Sequence, residues 1–293
     1  MTRKTLLLLV CIVGWALAAD PAATDESTLS VRGVTWPGGA MFVSVDCPEG
    51  TTGTWYWAGR NGAMTPAPYG LRCGLAVPLD ASVGGTATLK VTLKDEEGNK
   101  TELSRKILVD DKWRPTQYLS MSASDDAKYS DPQADKEEEI VLAKLRDLLA
   151  GPRFTGDFLE PSDGPRTSPY GVRRVRNGRT AGFHRGLDYA PGYGAPVTAG
   201  ADGVVTLVGK NYTLLGNCVI INHGEGLTSL FLHLSAFNVK EGQTIKAGQV
   251  VGKVGTTGAS TGPHLHYATY FHGEPIDPDL LLHIPAEWAP DAR

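Results

Sequence analysis

Short runs of β-forming residues, separated by glycine and proline, recur along most of this 293-residue chain. With 35 glycines and 19 prolines, the composition favours a turn-rich β protein over a helical bundle. Six or seven such runs follow one another between about residues 28 and 109. This repetition is typical of a small antiparallel sandwich, so we predict an immunoglobulin-like β-sandwich over residues 27–112.

Glycine-punctuated β runs resume near residue 156, and no helical pattern interrupts them. Five or more consecutive short strands without intervening helices indicate antiparallel pairing. We therefore predict a second, mostly β domain over residues 156–285. The fold class expected for the whole chain is mostly β, with two antiparallel domains.

Residues 113–155 are predicted to link the two domains and to contain one helix near residues 132–150. Asp131 followed by Pro132 is a typical helix start, because Asp caps the first turn and Pro fits the first helical position. Apolar residues then recur at helical spacing: Val141, Leu145, Leu148 and Leu149. We expect this apolar face to pack on one of the two β domains.

The N-terminus has the pattern of a secretory signal peptide over residues 1–19. Arg3 and Lys4 form a positively charged start, an apolar run covers residues 6–18, and the run ends in Ala-Leu-Ala. A spanning helix needs about 20 apolar residues, so an uncleaved anchor is the less favoured alternative. We expect a periplasmic or secreted protein with no stable membrane span after cleavage.

The periplasm and the extracellular space are oxidising compartments in which disulfides form, so the cysteines are candidates for disulfide bonds. Cys47 and Cys73 lie in the same β-rich stretch and are predicted to form a structural disulfide; two buried free thiols are the alternative. Cys218 precedes an apolar run and is expected to be a small buried residue. Because the chain has no Cys-x-x-Cys pair, a zinc site made of thiolates is not expected.

The formal net charge of −4 gives no electrostatic basis for nucleic-acid binding, so no nucleic-acid partner is expected.

All seven histidines lie in the predicted C-terminal domain, and four of them form a pattern with one aspartate. His184 and Asp188 are four residues apart, and His233 ends a predicted strand. His264 and His266 are two residues apart, so in a strand both imidazoles reach the same face. Neutral imidazoles and carboxylates are ordinary zinc ligands, and three of them plus water make a catalytic site.

With these residues in this order, the chain resembles the lysostaphin/LytM-type zinc endopeptidases over roughly residues 160–282. Five motifs carry the resemblance: Thr167–Arg173, His184-x3-Asp188, Asn222–Gly224, Phe231–Leu234 and Gly258–His266. Phe231 replaces the tyrosine more often found two residues before the lone histidine of the family. That difference does not touch the ligand set.

The resemblance implies a LytM-type domain that hydrolyses peptide bonds in the stem peptides or cross-bridges of bacterial peptidoglycan. It also implies that His184, Asp188 and His266 bind Zn²⁺. His233 and His264 would then be catalytic, one moving a proton and the other stabilising an oxyanion, in an order that the sequence leaves open.

The alternative within the same fold is a catalytically inactive LytM-fold regulator of other cell-wall hydrolases. Such copies lose ligands, whereas all five positions are filled here. The N-terminal sandwich would position the catalytic domain, limit access to its groove or bind a protein regulator. A latent form is a further hypothesis, in which Asn177 supplies a fourth ligand.

A different class of function is suggested by residues 200–205 and 239–252, which look like barrel segments of biotinyl and lipoyl carriers. A carrier needs a modifiable lysine at an exposed hairpin tip, but Lys253 lies in a predicted strand. We interpret the likeness as shared barrel architecture. A carbohydrate-binding surface around Trp55, Tyr56 and Trp57 is a weaker alternative to core packing.

The remaining histidines, His223, His272 and His283, are predicted to be structural or surface residues. The arginines near His184 are predicted to form a solvated face, or alternatively a rim that attracts peptide carboxylates. These arginines are Arg173, Arg174, Arg176, Arg179 and Arg185.

Overall fold

A computed structural model describes residues 28–146 and 158–282. The predicted signal peptide, the end of the predicted helix and His283 lie outside these residues. Within the described ranges no helix is both long and apolar enough to cross a membrane. The predicted fold class is confirmed, because the chain is mostly β and nearly all its strand pairs are antiparallel.

The N-terminal part contains two four-stranded antiparallel sheets, with the orders β1-β2-β6-β5 and β4-β3-β7-β8. The strands are β1 (Leu29–Gly33), β2 (Ala40–Asp46), β3 (Thr52–Trp57), β4 (Arg60–Ala63), β5 (Thr65–Ala67), β6 (Gly70–Ala76), β7 (Thr86–Lys94) and β8 (Lys100–Leu108). Side chains alternate between core and solvent along β3, so Trp55 and Trp57 are buried and Tyr56 is exposed. The two tryptophans are core residues and leave no aromatic platform there.

The predicted disulfide between Cys47 and Cys73 is wrong, since both are free thiols. Cys73 on β6 pairs with Val43 on β2, whereas Cys47 lies just beyond the end of β2. Four residues of extended strand span about 13 Å, and a disulfide needs Cα atoms within about 7 Å. Burial raises the pKa of Cys73, which favours the thiol over the reactive thiolate.

A large sheet with the order β10-β13-β21-β17-β16-β15-β19 organises the C-terminal part, and β22 extends it beside β21. A small sheet has the order β14-β20-β18, and its strands alternate along the sequence with strands of the large sheet. The strands are β10 (Arg166–Ser168), β11 (Arg173–Arg176), β12 (Arg179–Phe183), β13 (Leu187–Tyr189), β14 (Pro196–Thr198), β15 (Gly203–Tyr212), β16 (Gly216–Gly224), β17 (Leu227–Leu234), β18 (Ala236–Phe237), β19 (Thr244–Ile245), β20 (Val250–Lys253), β21 (Leu265–Phe271) and β22 (Glu274–Ile276). A short helix α3 (Asp279–Leu282) follows.

The predicted linker carries more structure than the single helix expected. It contains β9 (Thr116–Leu119), α1 (Ala123–Ala127), a 3-10 turn (Lys128–Ser130) and α2 (Pro132–Leu145). Strand β9 pairs in parallel with β11 and so joins β11 and β12 in a three-stranded sheet. This segment is therefore part of the C-terminal architecture.

Helix α2 begins as predicted, because the Asp131 side chain accepts a hydrogen bond from the amide of Gln133 and Pro132 opens the helix. Val141 and Leu145 are buried against the outer face of the large sheet, in one cluster with Cys218. Cys218 is fully buried, in keeping with its prediction as a small core residue.

The N-terminal sandwich shares a hydrophobic core with the large sheet. Ala40, Ala76 and Leu79 of the sandwich belong to the same buried cluster as residues of β13, β17 and β21. The ring of Phe271 packs edge-on against Phe42, and a side chain at Gly74 would collide with it, since an added Cβ would lie 2.2 Å from the ring. The two β units are thus packed together through close apolar contacts.

Candidate metal centre

Asp188 and His266 are direct cross-strand partners in the antiparallel pair β13–β21. Partners of this kind carry their side chains on the same face of a sheet, about 5 Å apart. His184 precedes β13, and its backbone exchanges hydrogen bonds of 2.8 and 2.9 Å with Gly171 and Val172. These backbone contacts bring the His184 imidazole beside the cross-strand pair.

The three side chains bring one donor atom each to a common point. Oδ1 of Asp188 lies 2.9 Å from Nδ1 of His266 and 3.0 Å from Nε2 of His184. The two imidazole nitrogens are 3.0 Å apart. The structure therefore brings together the three residues that the sequence predicted as ligands.

The donor atoms fit a cation. Nδ1 of His184 lies 2.8 Å from the backbone oxygen of Pro169, which can only accept, so Nδ1 carries the proton and Nε2 presents a lone pair. In this tautomer Nε2 faces the carboxylate oxygen of Asp188 at 3.0 Å, an arrangement that a cation between the two atoms would stabilise. Ligands about 2 Å from a tetrahedral Zn²⁺ are roughly 3.3 Å apart, close to these separations, and three protein ligands leave the fourth position open.

The surroundings keep the cluster in the protonation state that a metal needs. Burial raises the pKa of the Asp188 carboxyl, but its contacts with the His184 and His266 imidazoles outweigh burial and hold the pKa well below its usual range. Burial lowers the pKa of His266 to about 4, against the opposing effect of Asp188. At neutral pH the site therefore contains a carboxylate and a neutral His266 imidazole.

His233 and His264 lie beside the ligand cluster as a second pair. Their ring centroids are 4.7 Å apart, and the His233 ring is 6.3 Å from that of His266. Nδ1 of His233 donates to the backbone oxygen of Thr257 at 2.9 Å, and Nδ1 of His264 donates to that of Gly262 at 2.9 Å. In both rings Nε2 is therefore the nitrogen that is left to take up or give a proton.

Burial, and then the neighbouring His264 and His266, lower the pKa of His233 to about 3. This imidazole is neutral throughout the physiological pH range.

Two residues near the cluster were not singled out individually from the sequence. Nη2 of Arg174 lies 3.3 Å from Oδ2 of Asp188, and Oε1 of Gln117 on β9 accepts from Nε of Arg174 at 3.2 Å. Arg174 appeared only within an arginine cluster, and Gln117 lay in the predicted linker. The signal that could have found them is the pairing of β9 with β11, which the sequence does not reveal.

Three of the other four arginines of the cluster pair with acidic residues elsewhere. Arg176 and Arg179 pair with Asp126 of α1, and Arg185 lies 3.4 Å from Glu138 of α2. Arg173, the remaining arginine of the cluster, is exposed on β11. The alternative of a carboxylate-attracting arginine rim therefore gains no support from these contacts.

Asn177, the hypothetical fourth ligand, uses its side chain differently. Its amide accepts from the backbone nitrogen of Met121 at 3.0 Å and donates to the Met121 oxygen at 3.3 Å. With both ends of the amide on Met121, Asn177 joins the β11–β12 turn to the preceding segment and does not contact the ligand atoms.

Of the two remaining described histidines, His223 is buried and His272 is half-buried. His223 donates from Nδ1 to the oxygen of Asp202 at 2.7 Å and accepts from the Ser229 hydroxyl at 2.8 Å, as expected for a structural residue. His272 packs against Trp55 of the sandwich, with ring centroids 4.8 Å apart.

Comparison with known proteins places the cluster within a recognisable domain. The model of peptidase family M23 matches residues 182–278. The DD-carboxypeptidase/endopeptidase Mpg of Neisseria meningitidis is 46% identical over 112 residues, which are 38% of this chain and 26% of that protein. The peptidoglycan DD-endopeptidase ShyA of Vibrio cholerae is 44% identical over 94 residues, 32% of this chain and 22% of that protein. The chain thus spans about a quarter of the length of these curated relatives.

A solved structure from Pseudomonas aeruginosa, described as a candidate M23 peptidase, extends the likeness beyond this domain. It is 27% identical, has a TM-score of 0.64, and the match covers 85% of this chain and 94% of that one. A match of this extent includes more than the C-terminal β domain.

Proposed function

We propose that this protein is a zinc metalloendopeptidase that hydrolyses peptide bonds in bacterial peptidoglycan, because the model of peptidase family M23 matches residues 182–278. The single observation that carries the proposal is the convergence of one carboxylate and two imidazoles on a common point beside two further histidines. The names of the relatives Mpg and ShyA support a peptide substrate of the cell wall.

His184, Asp188 and His266 are the residues that would hold the metal. Two neutral imidazoles and one carboxylate leave Zn²⁺ with a net charge of about +1. Bound there, zinc supplies Lewis acidity that polarises a peptide carbonyl and makes a neighbouring water easier to deprotonate. Burial of the cluster strengthens these electrostatic effects by excluding bulk water.

His233 and His264 would move the protons. Each ring has its Nδ1 proton fixed on a backbone oxygen, so each can take a proton at Nε2 from the attacking water. Once protonated, the same Nε2 can donate to the leaving amine or to the oxyanion of the tetrahedral intermediate.

The sequence pattern of a signal peptide and the chemistry of the substrate favour a periplasmic or secreted location. A protein regulator that binds the N-terminal sandwich stays a prediction. The inactive regulator is the less favoured alternative, because none of the five predicted positions has lost its side chain. Three of them form the ligand cluster, and His233 and His264 form the neighbouring pair.

Digestion of purified sacculi, followed by mass spectrometry of the soluble products, tests the proposal. We expect the zinc-loaded protein to release peptides cut at one defined bond, and His233→Ala and His264→Ala to lose at least about 10²-fold in rate while keeping the metal. Arg173→Met, an exposed change on β11, serves as the control for handling and folding. If the zinc-loaded wild type cleaved nothing, the proposed enzymatic activity would be wrong and the inactive-regulator alternative would be favoured. Wild-type turnover in either histidine variant would show that this residue has no part in the mechanism.

A further inference from the structure

The two oxygens of Asp188 have different surroundings. Oδ1 faces His184 and His266, whereas Oδ2 lies 3.3 Å from Nη2 of Arg174. The Asp188 side chain is 11% exposed and that of Arg174 is 25% exposed, so the ion pair is largely shielded from water. A guanidinium on Oδ2 fixes the rotation of the carboxylate, because rotation about its last bond would exchange the two oxygens.

Arg174 is itself held from the opposite side. Its Nε donates to Oε1 of Gln117 at 3.2 Å, and the two residues are register partners in the parallel pair β9–β11. The same Gln117 oxygen lies 3.5 Å from the hydroxyl of Ser168. The guanidinium is thereby anchored at Nε by Gln117 and directed at Asp188 through Nη2.

We propose that Arg174 is a positioning residue for the metal site, and that Gln117 aligns its guanidinium so that Asp188 presents only Oδ1 to the cation. The proposal rests on the proposed zinc site. It adds two residues that precede the matched range 182–278, and one of them lies in the segment predicted to be a linker. Partners that orient a ligating carboxylate typically contribute 10- to 100-fold to metal affinity.

Charge and orientation act in opposite directions on metal binding, and this makes the proposal testable. A guanidinium close to a cation site repels the cation, so if charge alone mattered, its removal would tighten binding. If Arg174 orients Asp188, its removal weakens binding. The sign of the change in zinc affinity therefore separates the two roles.

The experiment measures the zinc dissociation constant of the full chain by competition with a chromophoric chelator. Arg174→Met is compared with Arg173→Met, which removes the same charge from the adjacent, exposed position of β11. We expect zinc binding 10- to 100-fold weaker in Arg174→Met and little changed in Arg173→Met. Equal or tighter binding in Arg174→Met than in Arg173→Met would overturn the positioning role.

Gln117→Leu keeps Arg174 but removes the oxygen that anchors Nε. We expect a smaller, severalfold loss of zinc affinity, and this variant decides the question if Arg174→Met fails to fold. Unchanged affinity in Gln117→Leu would contradict the part assigned to Gln117.

The visible spectrum of the cobalt-substituted protein adds a readout that does not depend on activity, since its intensity changes when Asp188 binds through two oxygens. We expect an altered spectrum in Arg174→Met and an unaltered one in Arg173→Met. Wild-type protein that binds no zinc would instead overturn the proposed function, so the two failures are distinguishable.

Discussion

His233 donates its Nδ1 proton to the backbone oxygen of Thr257 from a left-handed backbone conformation, with φ at 63°. The register between β16 and β17 shifts at this point, because Phe231 pairs with Val219 but Leu234 pairs with Asn217. One extra residue on β17 makes a β-bulge, and bulges redirect side chains. The His233 ring faces His264 from this bulge, so the left-handed backbone at residue 233 accompanies the position of the ring beside His264.

The strain at residue 233 predicts an unusual order of stability between two variants. A non-glycine residue in this conformation costs about 1 kcal/mol more than glycine. His233→Gly and His233→Ala both lose the imidazole, but only alanine keeps the unfavourable Cβ. We expect His233→Gly to have the larger free energy of unfolding in urea, by about 1 kcal/mol.

Thr54 on the exposed side of β3 provides the matched control, since its strand is regular there. At such a position glycine is less stable than alanine by about 0.5–1 kcal/mol. The order should therefore reverse between the two sites. A more stable His233→Ala than His233→Gly would contradict the assignment of backbone strain.

The buried His223 predicts how stability depends on pH. Burial lowers its pKa to about 4 in the folded protein, whereas an unfolded histidine titrates near 6.5. Between these values the unfolded chain binds a proton that the folded chain excludes, so the free energy of unfolding decreases as the pH falls through this window. The contribution is fully present above about pH 6.5, and its loss by pH 4 amounts to about 3 kcal/mol.

His223→Gln keeps one hydrogen-bond donor and one acceptor but removes the titration. We expect its free energy of unfolding to depend less steeply on pH between 4.5 and 6.5 than that of the wild type. The difference in slope should correspond to the uptake of up to about one proton on unfolding. Urea unfolding at several pH values measures the slope independently of any general loss of stability. Parallel pH curves for the two proteins would show that His223 does not titrate as described.

The interface between the sandwich and the large sheet predicts the effect of a single methyl group. Gly74→Ala would place Cβ 2.2 Å from the Phe271 ring, so the ring and the sandwich must move apart. Overpacking of this kind costs about 1–3 kcal/mol. We expect a lower midpoint of urea unfolding for Gly74→Ala, and little change for Gly262→Ala, where no atom lies within 4 Å of an added Cβ. An unchanged midpoint in Gly74→Ala would show that the two units do not pack as closely as described.

The sequence predicted most of the sandwich because its strands alternate or carry continuous apolar runs. Strands β4 and β5 lacked such a signal, since one is polar and the other contains Pro66 in three residues. Strand β9 was missed for a different reason, because its four residues become a strand by pairing with β11, which lies more than fifty residues later. Local patterns carry no information about such a pairing.

The candidate site shows the same division. The spacing of His264 and His266 predicts that their side chains share a face. The assignment of His184, Asp188 and His266 as the metal ligands came from the family resemblance. The pairing of Asp188 with His266 depends on the register of β13 against β21, which only the folded sheet defines. Likewise, Cys47 and Cys73 lie in the same β-rich stretch of the sequence, but the β2–β6 register keeps them apart in the fold.

The most direct test of the metal site is the zinc content of the purified full chain, measured by elemental mass spectrometry after removal of loosely bound metal. We predict about one zinc per wild-type chain and per chain of His283→Ala, a control at a histidine without a predicted ligand role. His184→Ala, Asp188→Ala and His266→Ala should each retain almost none. Full zinc occupancy in all three variants would contradict the site.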